Sequence, residues 1–227
     1  MIEVKNVVVS YGRKKIIDDI SFSAKPGEIT CLLGINGVGK STLLKAIAGL
    51  MPLKKGSVTI NDMPISYKTN VLLSYIPDQC TMPGDFTVNK SLDFMSYYYS
   101  NWNQEKAENL CEFLKLDRTK KISQLSKGNV AKVNLVLGLS LTCDFVLMDE
   151  PFSGIDILSR ERIIEALTSD FLEENQGIIL TTHEIPEIEA VVDRVLFLDN
   201  GKIERDFYPE EMRLEGKSIV DVMKEVY

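Results

Sequence analysis

At 227 residues, 44% of them hydrophobic and 26% charged, the chain is long enough to bury a sizeable core and has the balance of a soluble α/β protein. A formal net charge of -7, spread without a block of like charges, argues against nucleic acid as a partner, since that would favour a basic patch. The cysteines at 31, 80, 111 and 143 form no CxxC pair and have no neighbouring histidine, which implies a reducing cytosol and small buried side chains rather than a zinc site.

The segments Ile2 to Val9, Lys15 to Ser23 and Glu28 to Leu33 are rich in β-branched residues and separated by the turn pairs Tyr11-Gly12 and Pro26-Gly27, so the chain is expected to open with strands. GINGVGKST follows, and after it Leu43, Leu44, Ile47 and Leu50 recur at helical spacing until Gly49 and Pro52. That order is strand, glycine-rich loop, helix. From Gly56 to Pro77 short strands return, with Asn61-Asp62 as a turn, and from Val88 to about Gly138 the pattern is mostly helical. The runs Phe145 to Met148 and Ile178 to Thr181 read as strands buried on both faces of a parallel sheet, and Asn200-Gly201 as the turn of a last hairpin. The expectation is an α/β chain with an N-terminal antiparallel lobe, a mostly parallel sheet and a helical insert. It is one domain over 1–227, with a helical subdomain at about 80–143.

Residues Gly34, Ile35, Asn36, Gly37, Val38, Gly39, Lys40 and Ser41 match GxxxxGK[ST] in full, with Thr42 continuing into the helix. The glycines let consecutive N–H groups face phosphates, the helix start adds positive dipole, Lys40 reaches the terminal phosphates, and Ser41 offers a hydroxyl to Mg²⁺. The loop by itself leaves kinases, GTPases and motor ATPases open. Asp149 and Glu150 end an apolar strand, where Asp149 is the metal-side candidate and Glu150 the candidate to orient or deprotonate an attacking water.

With these residues in place the chain resembles the ABC ATPase family from end to end. GINGVGKST resembles its Walker A loop, Leu125-Ser126-Lys127-Gly128-Asn129 its signature, FVLMDEP its Walker B, Ser153-Gly154-Ile155-Asp156 its D-loop, and His183 its switch histidine. The resemblance implies the P-loop, RecA-like fold of that family, with ATP and Mg²⁺ as cofactors. It also implies a composite site in which two ATPase subunits, as homodimer or heterodimer, pack so that Ser126 and Gly128 of one serve the other's nucleotide. His183 would contact the γ-phosphate, and Tyr11 resembles the aromatic that stacks on adenine. From its residues alone, Tyr11 is a turn tyrosine and LSKGN is equally readable as a helix N-cap.

Three places depart from the family's commonest pattern. Asp78, followed by Gln79, stands where glutamine usually follows the proline, Lys127 replaces a glycine, and Asn129 a glutamine. A lysine there is electrostatically compatible with phosphate. LSKG, Asp78 and the segment Ser218 to Val222 resemble the branch that powers ABC-2-type exporters.

The N-terminus lacks the features of a signal peptide, and the longest apolar stretch, Val133 to Leu141, is far short of the ~20 residues of a membrane span. A membrane role is therefore expected to come from an integral membrane partner, with this chain cytoplasmic and peripheral on the inner face. Leu92, Met95, Tyr99 and Trp102 recur at intervals of three and four on one helix, either as core of the helical insert or as a groove for a short helix of that partner. The leading expectation is the ATP-hydrolysing subunit of an exporter. The alternative is a soluble ABC ATPase.

Overall fold

Two sheets with different partners organise the chain, which is seen here in a computed structural model describing residues 1–169, 171–183, 189, 191–214 and 216–226. The first sheet is antiparallel. Alternating apolar residues build β1 (Ile2–Tyr11) and β2 (Lys14–Ala24), joined through Gly12 at φ 59°.

The chain then enters β3 (Ile29–Leu33), the loop at 34–39 and α1 (Lys40–Ile47). It returns to the first sheet in β4 (Lys55–Ile60) and β5 (Met63–Pro64), giving the order β2-β1-β4-β5, with Asn61 and Asp62 turning at positive φ as expected.

The expected stripe on α1 runs past the end of the helix to Leu50. The helix stops at Ile47 because Gly49, at φ 72°, lets Leu50 N–H bond Lys45 O and Gly49 N–H bond Ala46 O, and this closure leaves Leu50 63% exposed.

Next come β6 (Leu73–Ile76), α2 (Val88–Tyr98), α3 (Gln104–Phe113), α4 (Lys127–Leu139) and β7 (Phe145–Asp149). The remainder is α5 (Ile157–Thr168), β8 (Gly177–Thr182), β9 (Arg194–Asp199), β10 (Lys202–Phe207), α6 (Pro209–Leu214) and α7 (Ile219–Val226). The second sheet has the order β10-β9-β3-β8-β7-β6 and is parallel except for β10, which pairs back on β9 through the two positive-φ residues Asn200 and Gly201. The apolar runs of β7 and β8 are buried along their whole length, as a sheet covered on both faces requires.

One face of this sheet packs with α1 against the antiparallel lobe, where Leu43, Leu44 and Ile47 meet Val7, Ile17, Leu147 and Ile179. The other face is covered by the helical segments, with Val133, Val136 and Leu139 of α4 at its centre. Cys31, Cys111 and Cys143 are buried and Cys80 partly so. All four are free, and burial pushes their thiols up, as for packed rather than reactive sulfur.

The aromatic stripe also ends early. α2 stops at Tyr98 because Asn101 then donates its amide to Thr142 O and Val71 O, at 2.9 and 3.3 Å, and pulls the chain alongside residues 140–142. Trp102 therefore lies beyond the helix, in a bridge to Leu141.

α4 meets β6 closely. A Cβ on Gly138 would stand 2.2 Å from Ile76 Cγ1, so only glycine permits this approach, and Ser74 Oγ donates to Gly138 O at 2.8 Å.

Candidate nucleotide and metal site

The glycine-rich loop leaves the carboxyl end of β3, flanked in the sheet by β8 and β9. Gly37 and Gly39 take φ of 82° and 115°, where a side chain is strained, and a Cβ on Gly39 would also press on Ile17 at 2.9 Å. The loop is thus held against the β1–β2 hairpin, whose tip carries Tyr11, 54% exposed.

Lys40, the first residue of α1, is 4% exposed. Its ammonium donates to Gly34 O at 2.7 Å and Ile35 O at 3.3 Å and lies 3.1 Å from Glu150 Oε1. Ser41 donates its hydroxyl to Asp149 Oδ1 at 2.7 Å.

Asp149, 5% exposed at the end of β7, is held from two further strands. Thr181 of β8 donates to Oδ1 at 2.9 Å and Tyr75 of β6 to Oδ2 at 3.2 Å. Burial first, and then the Asp149 charge, pushes the Tyr75 phenol well above its usual range, so it remains a donor. Neither Thr181 nor Tyr75 was singled out from the sequence. The available signal is the hydroxyl that each places near the carboxyl end of a strand beside β7.

Glu150 holds φ at 49°, which a non-glycine residue rarely adopts, and its N–H donates to Thr181 Oγ1 at 2.9 Å. This turn aims its carboxylate at Lys40 and His183. His183 Nδ1 lies 2.8 Å from Glu150 Oε2, and because a carboxylate accepts, Nδ1 carries the proton in this contact.

Hard oxygen donors from Ser41 and Asp149, already in contact and fixed from behind by Thr181 and Tyr75, are the donor set that suits Mg²⁺.

The signature residues point elsewhere. Ser126 is exposed and caps α4, accepting from Asn129 N–H at 3.3 Å. Gly128 is buried against the neighbouring turn, where a Cβ would lie 2.9 Å from Ser159 Oγ and 3.0 Å from Asp156 Oδ2. These contacts lead to Asn129, Asp156 and Ser159, not to the acids after β7.

Lys127 is exposed and its side chain lies along its own chain, where a Cβ on Gly154 would be 3.4 Å from its ammonium. It shares a cavity of about 350 Å³ with Asp78, Gln79, Glu150 and Ser153. Loss of hydration, and then the charges of Asp149 and Glu150, push Asp78 above the usual carboxylate range, while Lys127 and Lys45 pull it down.

A phosphate-type loop and a paired-acid strand end on one mostly parallel sheet narrow the choice to a few ATPase families. A family model described as ABC transporter matches residues 17–153.

The chain belongs to the ABC transporter family.

This ABC protein is similar to an uncharacterised ABC transporter ATP-binding protein of Methanocaldococcus jannaschii, with 35% identity over 88% of this chain and 75% of the relative. It is also similar to the linearmycin resistance ATP-binding protein of Bacillus subtilis, with 32% identity over 89% of this chain and 68% of that one. The Nod factor export ATP-binding protein I of Rhizobium etli is 31% identical over 97% of this chain and 73% of its own length. A solved ATP-binding subunit of an ABC transporter superposes with a TM-score of 0.88, at 26% identity, covering 99% of this chain and 98% of that one. The ABC chain is accordingly an ATPase subunit of an ABC transporter that binds ATP. Among the described residues no helix is long and apolar enough to cross a membrane.

Proposed function

We propose that this subunit hydrolyses Mg²⁺-ATP as an ATP-dependent dimer on the cytoplasmic face of a membrane and drives export through a separate integral membrane subunit. The observation that carries the reading is the convergence of Lys40, Ser41, Asp149, Glu150 and His183 from three segments onto one end of the sheet.

The loop amides and Lys40 bind the phosphates, while Ser41 and Asp149 hold Mg²⁺, which when bound supplies positive charge to the phosphate oxygens. As Lys40 turns from Glu150 to phosphate, the carboxylate loses its cation and is left to polarise water. His183 keeps Glu150 oriented through Nδ1 and presents Nε2 to the γ-phosphate. Tyr11 at the hairpin tip stacks on adenine. Ser126, exposed at the start of α4, and the backbone of Gly128 behind it complete the nucleotide site of a second subunit.

Dimeric cassettes of this fold support the assembly, including a post-hydrolysis state bound to ADP and phosphate, superposing with a TM-score of 0.81 over 92% of this chain and 99% of that one at 21% identity. Export as the direction of transport is supported by the relatives named for Nod factor export and linearmycin resistance.

A groove of about 560 Å³ between α2, α4 and β6, lined by Leu50, Met82, Phe94, Met95, Tyr99 and Leu141, fits a short helix of the membrane subunit. Tyr97 and Tyr98 beside it are 82% and 65% exposed.

Cross-linking from Phe94 or Tyr98 in membranes is expected to trap an integral membrane protein. Capture of soluble proteins alone would favour a soluble ABC ATPase instead.

A further inference from the structure

Asn134 is a carboxamide in the middle of an apolar helix. It is 6% exposed, between Val133 and Leu135, and burying such a group is costly unless it is bonded. Its Nδ2 donates to Pro77 O at 3.0 Å. β6 ends at Ile76, so the Pro77 carbonyl lies just past the named strand, and the acceptor is satisfied by the helix instead.

The position of this bond is informative. Pro77 and Asn134 are the two described residues that line both the cavity beside Glu150 and the groove beside Phe94, Met95 and Tyr99. The hydrogen bond is therefore the wall between them. One turn further along α4, Ser74 and Gly138 clamp the helix to β6. That clamp fixes the chain up to Ile76, and beyond it the course of Pro77, Asp78 and Gln79 depends on what holds the Pro77 carbonyl.

We propose that Asn134 is a positioning residue for ATP hydrolysis: by holding Pro77 O it sets where Asp78 and Gln79 stand opposite Glu150. The inference rests on the reading of Glu150 as the water-polarising acid. A carboxylate at position 78 lines the same cavity as Glu150, so its placement changes the field in which Glu150 works. The same bond makes the acids responsive to whatever moves α4 from the groove side, because a shift of the helix is passed to Pro77 through one amide.

The test uses the full chain with Asn134→Leu, which keeps the branched shape and number of heavy atoms and removes the donor. Turnover is expected to fall by about 10- to 100-fold, the scale of a misplaced positioning group. ATP affinity, set by the loop on the far side of β8, should stay within about twofold. The melting temperature should change by a few degrees at most, since the apolar side chain removes a buried amide while Pro77 O loses its donor.

Val133→Ala on the same helix is the structural control, expected to lower the melting temperature with turnover per folded molecule unchanged. Should Asn134→Leu fail to fold, Asn134→Ala removes the donor without adding volume or charge, and the same split between turnover and affinity is expected. Wild-type turnover in these variants, or a loss of turnover that only follows the folded fraction, would overturn the proposal. Glu150→Gln, assayed alongside, reports separately on the reading of Glu150.

Discussion

The phosphate loop and the signature turn are both a glycine-containing start to a helix, and they are built in opposite ways. Lys40 is buried, and its ammonium already has two carbonyls and a carboxylate within 3.3 Å, all from its own chain. Ser126 is exposed and does no more than cap its helix, while Gly128 packs backward on Asp156 and Ser159. The first region is assembled inside one chain. The second has its local bonding satisfied and its outer face unused, which is the form expected of a group that works on another subunit.

The sharpest break in that comparison comes from the loop side. Glu150→Gln keeps the size but removes the basicity, so turnover should fall by roughly 10²–10⁴-fold while ATP still binds. Size-exclusion chromatography should then show a dimer in ATP that is absent in ADP. A wild-type rate with no such dimer would leave Glu150 as a turn residue. Lys40→Ala should remove most nucleotide binding while circular dichroism stays unchanged, because the ammonium serves the loop and not the core.

The signature side should respond differently. Ser126→Ala loses a helix cap at a cost of about 1 kcal/mol in stability, measurable by denaturant titration. Its effect on turnover should be larger at protein concentrations that permit dimers than at high dilution. An equal effect at both would make Ser126 a cap and nothing more.

The smallest effect is expected from Tyr75→Phe. It removes one of three hydroxyls on Asp149, so stability should drop by about 1 kcal/mol and the Mg²⁺ concentration for half-maximal nucleotide binding should rise a few-fold. An unchanged Mg²⁺ dependence would place Tyr75 outside the metal side of the site.

Much of this was legible in the chain itself. GINGVGKST between an apolar strand and an apolar helix, the pair Asp149-Glu150 after a buried run, and the turns Asn61-Asp62 and Asn200-Gly201 all depend on local residue chemistry, and local chemistry is written in order along the chain. Where α1 and α2 end was less legible. Leu50 and Trp102 keep the helical spacing, yet a glycine closure and the Asn101 bonds to distant carbonyls stop the two helices first.

Tertiary structure alone decided which side chains meet. Thr181 and Tyr75 reach Asp149 because β8 and β6 flank β7, and sheet order is not encoded in spacing. Lys127 turned out to face Gly154 and the cavity of Asp78, although as a sequence feature it was equally suited to a phosphate. The direction of a long side chain depends on the packing of the helix that carries it, and α4 is placed by Gly138 on Ile76 and Asn134 on Pro77, contacts 57 and more residues apart in the chain. Sequence therefore determined which groups are available, and the close approach of α4 to β6 determined which of them share a cavity with Glu150.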